Sequence, residues 1–148
     1  MRRARVLIPA AFAVFFVAGL SLLLARGLSG SGAERGLVVD VVRAQARGDA
    51  AAVLAGLPAC RREPACVLAT RERVAALRRP GRVQVLSYTP STRLALTRKV
   101  GTARVAWRAG SARPVVQCVR VRREGPLTGG AAELLAISAP IPGEKGCA

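Results

Sequence analysis

The 148-residue chain contains no histidine. The usual general base at neutral pH and the commonest metal-binding side chain are therefore both missing. Acidic residues number 8, and only Asp40 and Asp49 are aspartates. The glutamates are scattered, so no pair is spaced for acid and base chemistry. No serine lies in a nucleophile-elbow pattern, and neither a phosphate-binding loop nor a dinucleotide glycine fingerprint occurs. The cysteines include no C-x-x-C pair, which removes the usual zinc spacing. A lysine or thiol mechanism is the only catalytic route left, and the chain reads as a non-enzyme. It offers no catalytic residue, no cofactor-binding residue and no metal ligand.

Lysine and aromatics are scarce as well. Only Lys99 and Lys145 are lysines among the 24 basic residues, and aromatics make up 3% of the chain. The Arg/Ala/Gly bias reads first as the mark of a GC-rich genome, which discounts arginine counts as evidence of function. The formal charge of +16 falls to +12 for positions 34–148, with 20 basic against 8 acidic residues. That charge favours anionic partners without naming one. Nucleic-acid binding fits the charge but conflicts with the shortage of aromatics.

What is present begins with an uncharged apolar run from Val6 to Ala25, rich in Phe and Leu. Twenty helical residues at about 1.5 Å each span the roughly 30 Å hydrocarbon core of a bilayer. Arg2, Arg3 and Arg5 precede the run and only Arg26 follows it, so the positive-inside rule keeps the N-terminus inside. The expected organisation is a basic tail at 1–5, a membrane-spanning signal anchor at 6–25, a flexible linker at 26–33 and an extracytoplasmic domain at 34–148. Ser31-Gly32-Ala33 resembles a small-x-small cleavage site, so release after Ala33 is the competing reading.

The outer segment reads as α+β. Helical spacing places Leu37, Val38, Val41, Val42 and Ala46 on one face. Gly48 suits a helix C′ position, and Asp49 suits the N-cap of a second helix through Leu57. Arg47-Gly48-Asp49 also spells an integrin-binding tripeptide, but helix punctuation is the better reading. A third helix is expected over Val67–Arg79, stopped by Pro80-Gly81. The period then changes to two. Strands are expected at Arg82–Thr89, Thr102–Arg108, Val115–Arg123 and about Ala131–Ser138, and alternation also resumes at Leu94 and Leu96. Helices followed by consecutive strands argue for three helices packed on a four-stranded antiparallel meander.

One hairpin register follows from a turn at 109–113, which sets Arg104 opposite Cys118. Ala103, Val105 and Trp107 then share a face with Val115, Gln117, Val119 and Val121. The other face collects Arg104, Arg108, Arg120 and Arg122 with Val116 and Cys118. The arginines form a candidate anion-binding face, for anionic lipid or wall polymer. Trp107 is a candidate pocket residue, although a core position suits it better.

Cys60, Cys66, Cys118 and Cys147 all lie beyond the apolar run. An even number of cysteines in an exported domain reads as disulfides. Of the three pairings, Cys60–Cys66 with Cys118–Cys147 is favoured: the first closes a short loop between helices, and the second staples the tail to the third strand.

The helix break Ala46-Arg47-Gly48-Asp49-Ala50, with Leu54 and Leu57 after it and a four-strand meander beyond, resembles the nuclear-transport-factor-like (cystatin-like α+β roll) superfamily over about residues 34–139. The resemblance implies a cone-shaped roll whose pocket binds small molecules or, in enzymes, holds acid and base residues. No such catalytic residue carries over to this chain. Anchor plus roll is also similar in layout to accessory membrane proteins of bacterial envelope machines, which use the domain as an interaction scaffold. The expected function is therefore a noncatalytic, membrane-anchored scaffold on the outer face of the cytoplasmic membrane, with an envelope protein as partner. The alternatives are a small-molecule or lipid-binding module and an anion-binding arginine face.

Overall fold

A computed structural model describes residues 2–91, 97–125, 127 and 130–147; within its first helix, the side chains of 2–13 and 26–31 lie outside the description. That helix, α1, runs unbroken over Arg2–Arg47. The sequence predicts a flexible linker at 26–33, and this expectation is corrected: the helix passes straight through it. Each glycine there costs up to about 1 kcal/mol relative to alanine. No proline interrupts the segment, however, and helix already nucleated on both sides propagates across a weak stretch. The apolar run expected to span a membrane lies inside α1. Among the described residues, no helix is long and apolar enough to cross a membrane.

Beyond α1 the helical layer continues with α2 (Ala50–Ala55), a 3-10 turn at Cys60–Arg62, and α3 (Pro64–Leu77). The break between α1 and α2 has the expected chemistry. Gly48 takes φ 80°, and a Cβ there would meet the Arg78 side chain at 2.9 Å. The Asp49 side chain then accepts from the Ala52 backbone N–H at 2.9 Å. On α3 the inner face is Thr70, Val74 and Leu77, while Leu68 is exposed. Leu37 on α1 likewise sits at the margin, and Val38, Val41, Val42 and Ala46 form the buried stripe.

The sheet is an antiparallel meander in the order β1-β2-β3-β4, built from Val83–Thr89, Lys99–Ala109, Val115–Arg123 and Ala132–Ile137. The β2–β3 register is the expected one, with Arg104 opposite Cys118 and Trp107 opposite Val115. Ala103, Val105, Trp107, Val115, Gln117, Val119 and Val121 are all buried on the face that receives the helices. Leu94 and Leu96 lie outside the described residues.

Two irregularities break the alternation. In β1 the pairing shifts between Val85 and Ser87, leaving Leu86 as an extra residue. In β4 it shifts opposite Arg120 and Val121, leaving Leu135 extra. A bulge reverses which face the following residues occupy. Tyr88 is thereby set opposite Val105, on the core face, and Leu134 and Ile137 are both buried.

Both disulfides form as favoured. Cys60 and Cys66 have Cα atoms 5.3 Å apart, and Cys118 and Cys147 5.7 Å apart. The Thr70 hydroxyl donates to Cys60 Sγ at 3.4 Å, since a disulfide sulfur carries no proton. Closing the longer loop contributes about 3–4 kcal/mol, and closing the shorter one about 2 kcal/mol. Denaturant unfolding followed through the single tryptophan should therefore rank the variants. Cys118→Ser with Cys147→Ser should lose more stability than Cys60→Ser with Cys66→Ser, and the reverse order would refute the assignment of the tail staple as the stronger constraint.

Candidate functional site

The most unusual side chain in the domain is Glu34, at the point where α1 meets the sheet. Its relative exposure is 0%, which makes it the one fully buried carboxylate among the described residues. Burying a carboxyl group is costly unless donors replace its water. Four donors do so. The Tyr88 hydroxyl and the Ser91 backbone N–H, the latter at 2.9 Å, donate to Oε1. The Ser91 hydroxyl donates to Oε2 at 2.8 Å, and Arg123 Nε approaches Oε2 at 3.4 Å.

Each partner comes from a different place in the chain. Tyr88 belongs to β1, turned inward by the bulge at Leu86; Ser91 follows β1; Arg123 ends β3. The carboxylate thus ties α1 to two strands at one end of the sheet. Three hydrogen bonds and one ion pair fall on its two oxygens, an arrangement that suits a clamp between elements.

The clamp also marks Tyr88. Burial pushes its phenol well above the ordinary tyrosine range; the hydrogen bond to Glu34 and that residue's charge push the same way, while Arg123 and Arg35 oppose them. Since the folded value is raised, the native state holds this proton more tightly than the unfolded chain does. The associated stability is complete below about pH 10 and declines as pH rises above it.

Trp107, the candidate pocket residue, is fully buried, at the core position that suits it better in the sequence. Its Nε1–H donates to Gln117 Oε1 at 2.9 Å, and Gln117 Nε2 donates to the Ser138 carbonyl at 3.0 Å. A buried indole needs such a partner, and Gln117 is the polar residue on the core face that supplies it. A surface groove of about 490 Å³ does lie beside α1, where Gly32, Gly36 and Val39 face Val83 and Val85; Trp107 is not part of it.

The four arginines share the outer sheet face, as the register requires, but three have internal partners. Arg104 donates to the Gly143 carbonyl, Arg108 to Gln84, and Arg122 pairs with Glu133 at 2.9 Å. Arg120 is exposed and has no such partner among the described residues. The C-terminal tail crosses this face. It bridges Ile141 to Val116 and is fastened by Cys118–Cys147. Val116 is consequently buried, on the face it shares with the four arginines.

The Glu34 clamp is the feature sequence reasoning missed. Its one legible signal is a glutamate directly before an apolar helical stripe, and that alone does not name Tyr88, Ser91 or Arg123. Comparison with known proteins adds no assignment: no family model, no curated protein and no solved structure matches the chain.

The clamp has a direct spectroscopic test, because Tyr88 is the single tyrosine. Phenolate absorbance should stay flat as pH is raised through 10 and appear only as Trp107 fluorescence reports unfolding. Glu34→Ala should lower stability by about 3 kcal/mol, since it strands buried donors. Normal phenolate formation with the fold intact, or a neutral Glu34→Ala, would contradict the clamp.

Proposed function

We propose that the chain is a noncatalytic, membrane-anchored interaction domain of the bacterial cell envelope, carried outside the cytoplasmic membrane at the end of α1. The observation that carries this reading is the uncovered apolar stretch of α1. Val14, Phe15, Phe16 and Val17 are consecutive and 61–78% exposed, and Leu20, Leu22 and Leu24 follow at 50–55%. Four consecutive helical residues point in four directions about 100° apart, so a partner seated on one face cannot cover them. A solvent that surrounds the helix can, and hydrocarbon is such a solvent. The charge-free run from 6 to 25 has the length a bilayer core demands.

Two further features support the same placement. Paired cysteines belong to oxidising compartments, and three arginines precede the apolar run against one after it. The continuity of α1 favours an uncleaved anchor. Cleavage after Ala33 would make Glu34 the N-terminal residue and put a new ammonium group at the start of the helix that Glu34 fastens to the sheet. Three helices on a four-stranded meander support the cystatin-like roll as the fold. The internally partnered carboxylate and the buried tryptophan favour a scaffold over a catalyst or a pocket.

Membranes from expressing cells give the test. The chain should resist alkaline extraction, keep the intact mass of residues 1–148, and have its outer domain open to protease added from outside. Extraction with the peripheral proteins, or a mature N-terminus at Glu34, would refute the anchored reading.

A further inference from the structure

Among the described residues β1 is an edge strand, paired with β2 on one side and with no strand on the other. In an antiparallel pair each residue points both of its backbone polar groups toward the partner strand or both away, in alternation. Gly110 N–H donates to the Arg82 carbonyl at 3.2 Å, so Arg82 faces β2, and Gln84, opposite Arg108, does the same. Val83 and Val85 therefore turn their N–H and C=O groups outward. Those groups have no partner among the described residues. An open edge of this kind is a template for another strand.

The same two residues line the groove of about 490 Å³ beside α1, whose other wall includes Arg35, Gly36, Val39 and Arg43. Gly32 and Gly36 keep it open, since a Cβ at either meets nothing within 4 Å. A chain laid along β1 thus finds backbone partners on one side and room for side chains on the other. In strand addition the main-chain bonds give affinity, and the spaces for alternate side chains give specificity.

Charge selects the occupant. Asp40 is the one acid lining the groove, against Arg35 and Arg43, and the exposed Arg82 precedes Val83. Asp40 approaches Arg43 at 3.6 Å, but with side chains 74% and 55% exposed the pair is weak and the groove stays cationic. A second copy of the chain fits poorly. Positions 34–148 carry 20 basic against 8 acidic residues, and the irregularity at Leu86 cuts short the straight edge that two β1 strands need. An acidic strand complements the groove instead.

We propose that the β1 edge and the α1 groove form a docking site for an extended, acidic segment of an envelope protein. The segment adds as a strand to Val83 and Val85, places alternate side chains toward Gly36 and Val39, and sets its carboxylates among Arg35, Arg43 and Arg82. This names the partner class for the interaction reading above and rests on that reading.

Amide exchange at Val83 and Val85, followed by NMR on the full chain in detergent micelles, tests it. The probes are a short peptide of valine, threonine and glutamate, its counterpart with lysine for glutamate, and the acidic peptide N-methylated along its backbone. Saturating acidic peptide should slow exchange at both amides by about tenfold or more. The other two should leave it unchanged. Gly36→Phe, which fills the groove, should weaken the acidic peptide about tenfold or more with Trp107 fluorescence unaltered. Arg35→Glu with Arg43→Glu, both at exposed positions, should turn the preference toward the lysine peptide. Equal protection by the lysine or methylated peptide, or full binding to folded Gly36→Phe, overturns the proposal. So does protection that grows with protein concentration when no peptide is present, which assigns the edge to a second copy. No protection by any peptide overturns the docking site alone, because the anchored reading stands or falls separately on alkaline extraction.

Discussion

One buried carboxylate decides how the two parts of this chain are joined. Glu34 sits where a helix of 46 residues stops being solitary and becomes part of a core. Without donors a carboxylate at that depth would be among the costliest groups in the domain. With Tyr88, Ser91 and Arg123 around it, the same group becomes a fastening between α1 and the ends of β1 and β3. The apolar stripe of Val38, Val41, Val42 and Ala46 supplies most of the burial that holds α1 against the sheet. Hydrophobic contact is poorly directional, however, and would tolerate some sliding along the helix axis. The hydrogen bonds at Glu34 fix the axial position.

That fastening depends in turn on a defect in a strand. Strict alternation from Val83 and Val85 would point Ser87 and Thr89 inward and turn Tyr88 out. The extra residue at Leu86 reverses the parity, so Tyr88 lies inward opposite Val105. Here the limits of legibility have a physical cause. Helix punctuation at Gly48 and Asp49, the meander order, the β2–β3 register and the cysteine pairing are all readable because each follows from local chemistry or an unbroken period. A bulge adds one residue without a sequence signature of its own. Everything downstream of it, the clamp included, becomes invisible to a count by twos. The linker expectation at 26–33 fails for a related reason: glycine and serine lower helix propensity, but propensity is a small term beside continuity with helix on both sides.

The outer face of the sheet shows a second case of local rules meeting tertiary context. Register correctly groups Arg104, Arg108, Arg120 and Arg122, yet grouping is not availability. The tail from Pro140 onward crosses the face, takes up Arg104 and buries Val116. The Cys118–Cys147 disulfide keeps it there. A strap of this kind covers a hydrophobic position that the meander alone leaves open, and it makes the domain three layers deep along β3. Gln117 belongs to the same arrangement: one polar side chain on the core face satisfies Trp107 and reaches Ser138 on the way to the tail.

Fastening the domain to the apolar stretch requires α1 to be a single rigid element, continuous from that stretch into the core and pinned at Glu34. Amide hydrogen exchange along the full chain in lipid nanodiscs measures this directly. Protection should run unbroken through residues 26–33 into the buried stripe beyond Glu34, and Glu34→Ala should weaken it on both sides of the substituted position. Free exchange at 26–33 between two protected flanks, unchanged by the substitution, would contradict the claim.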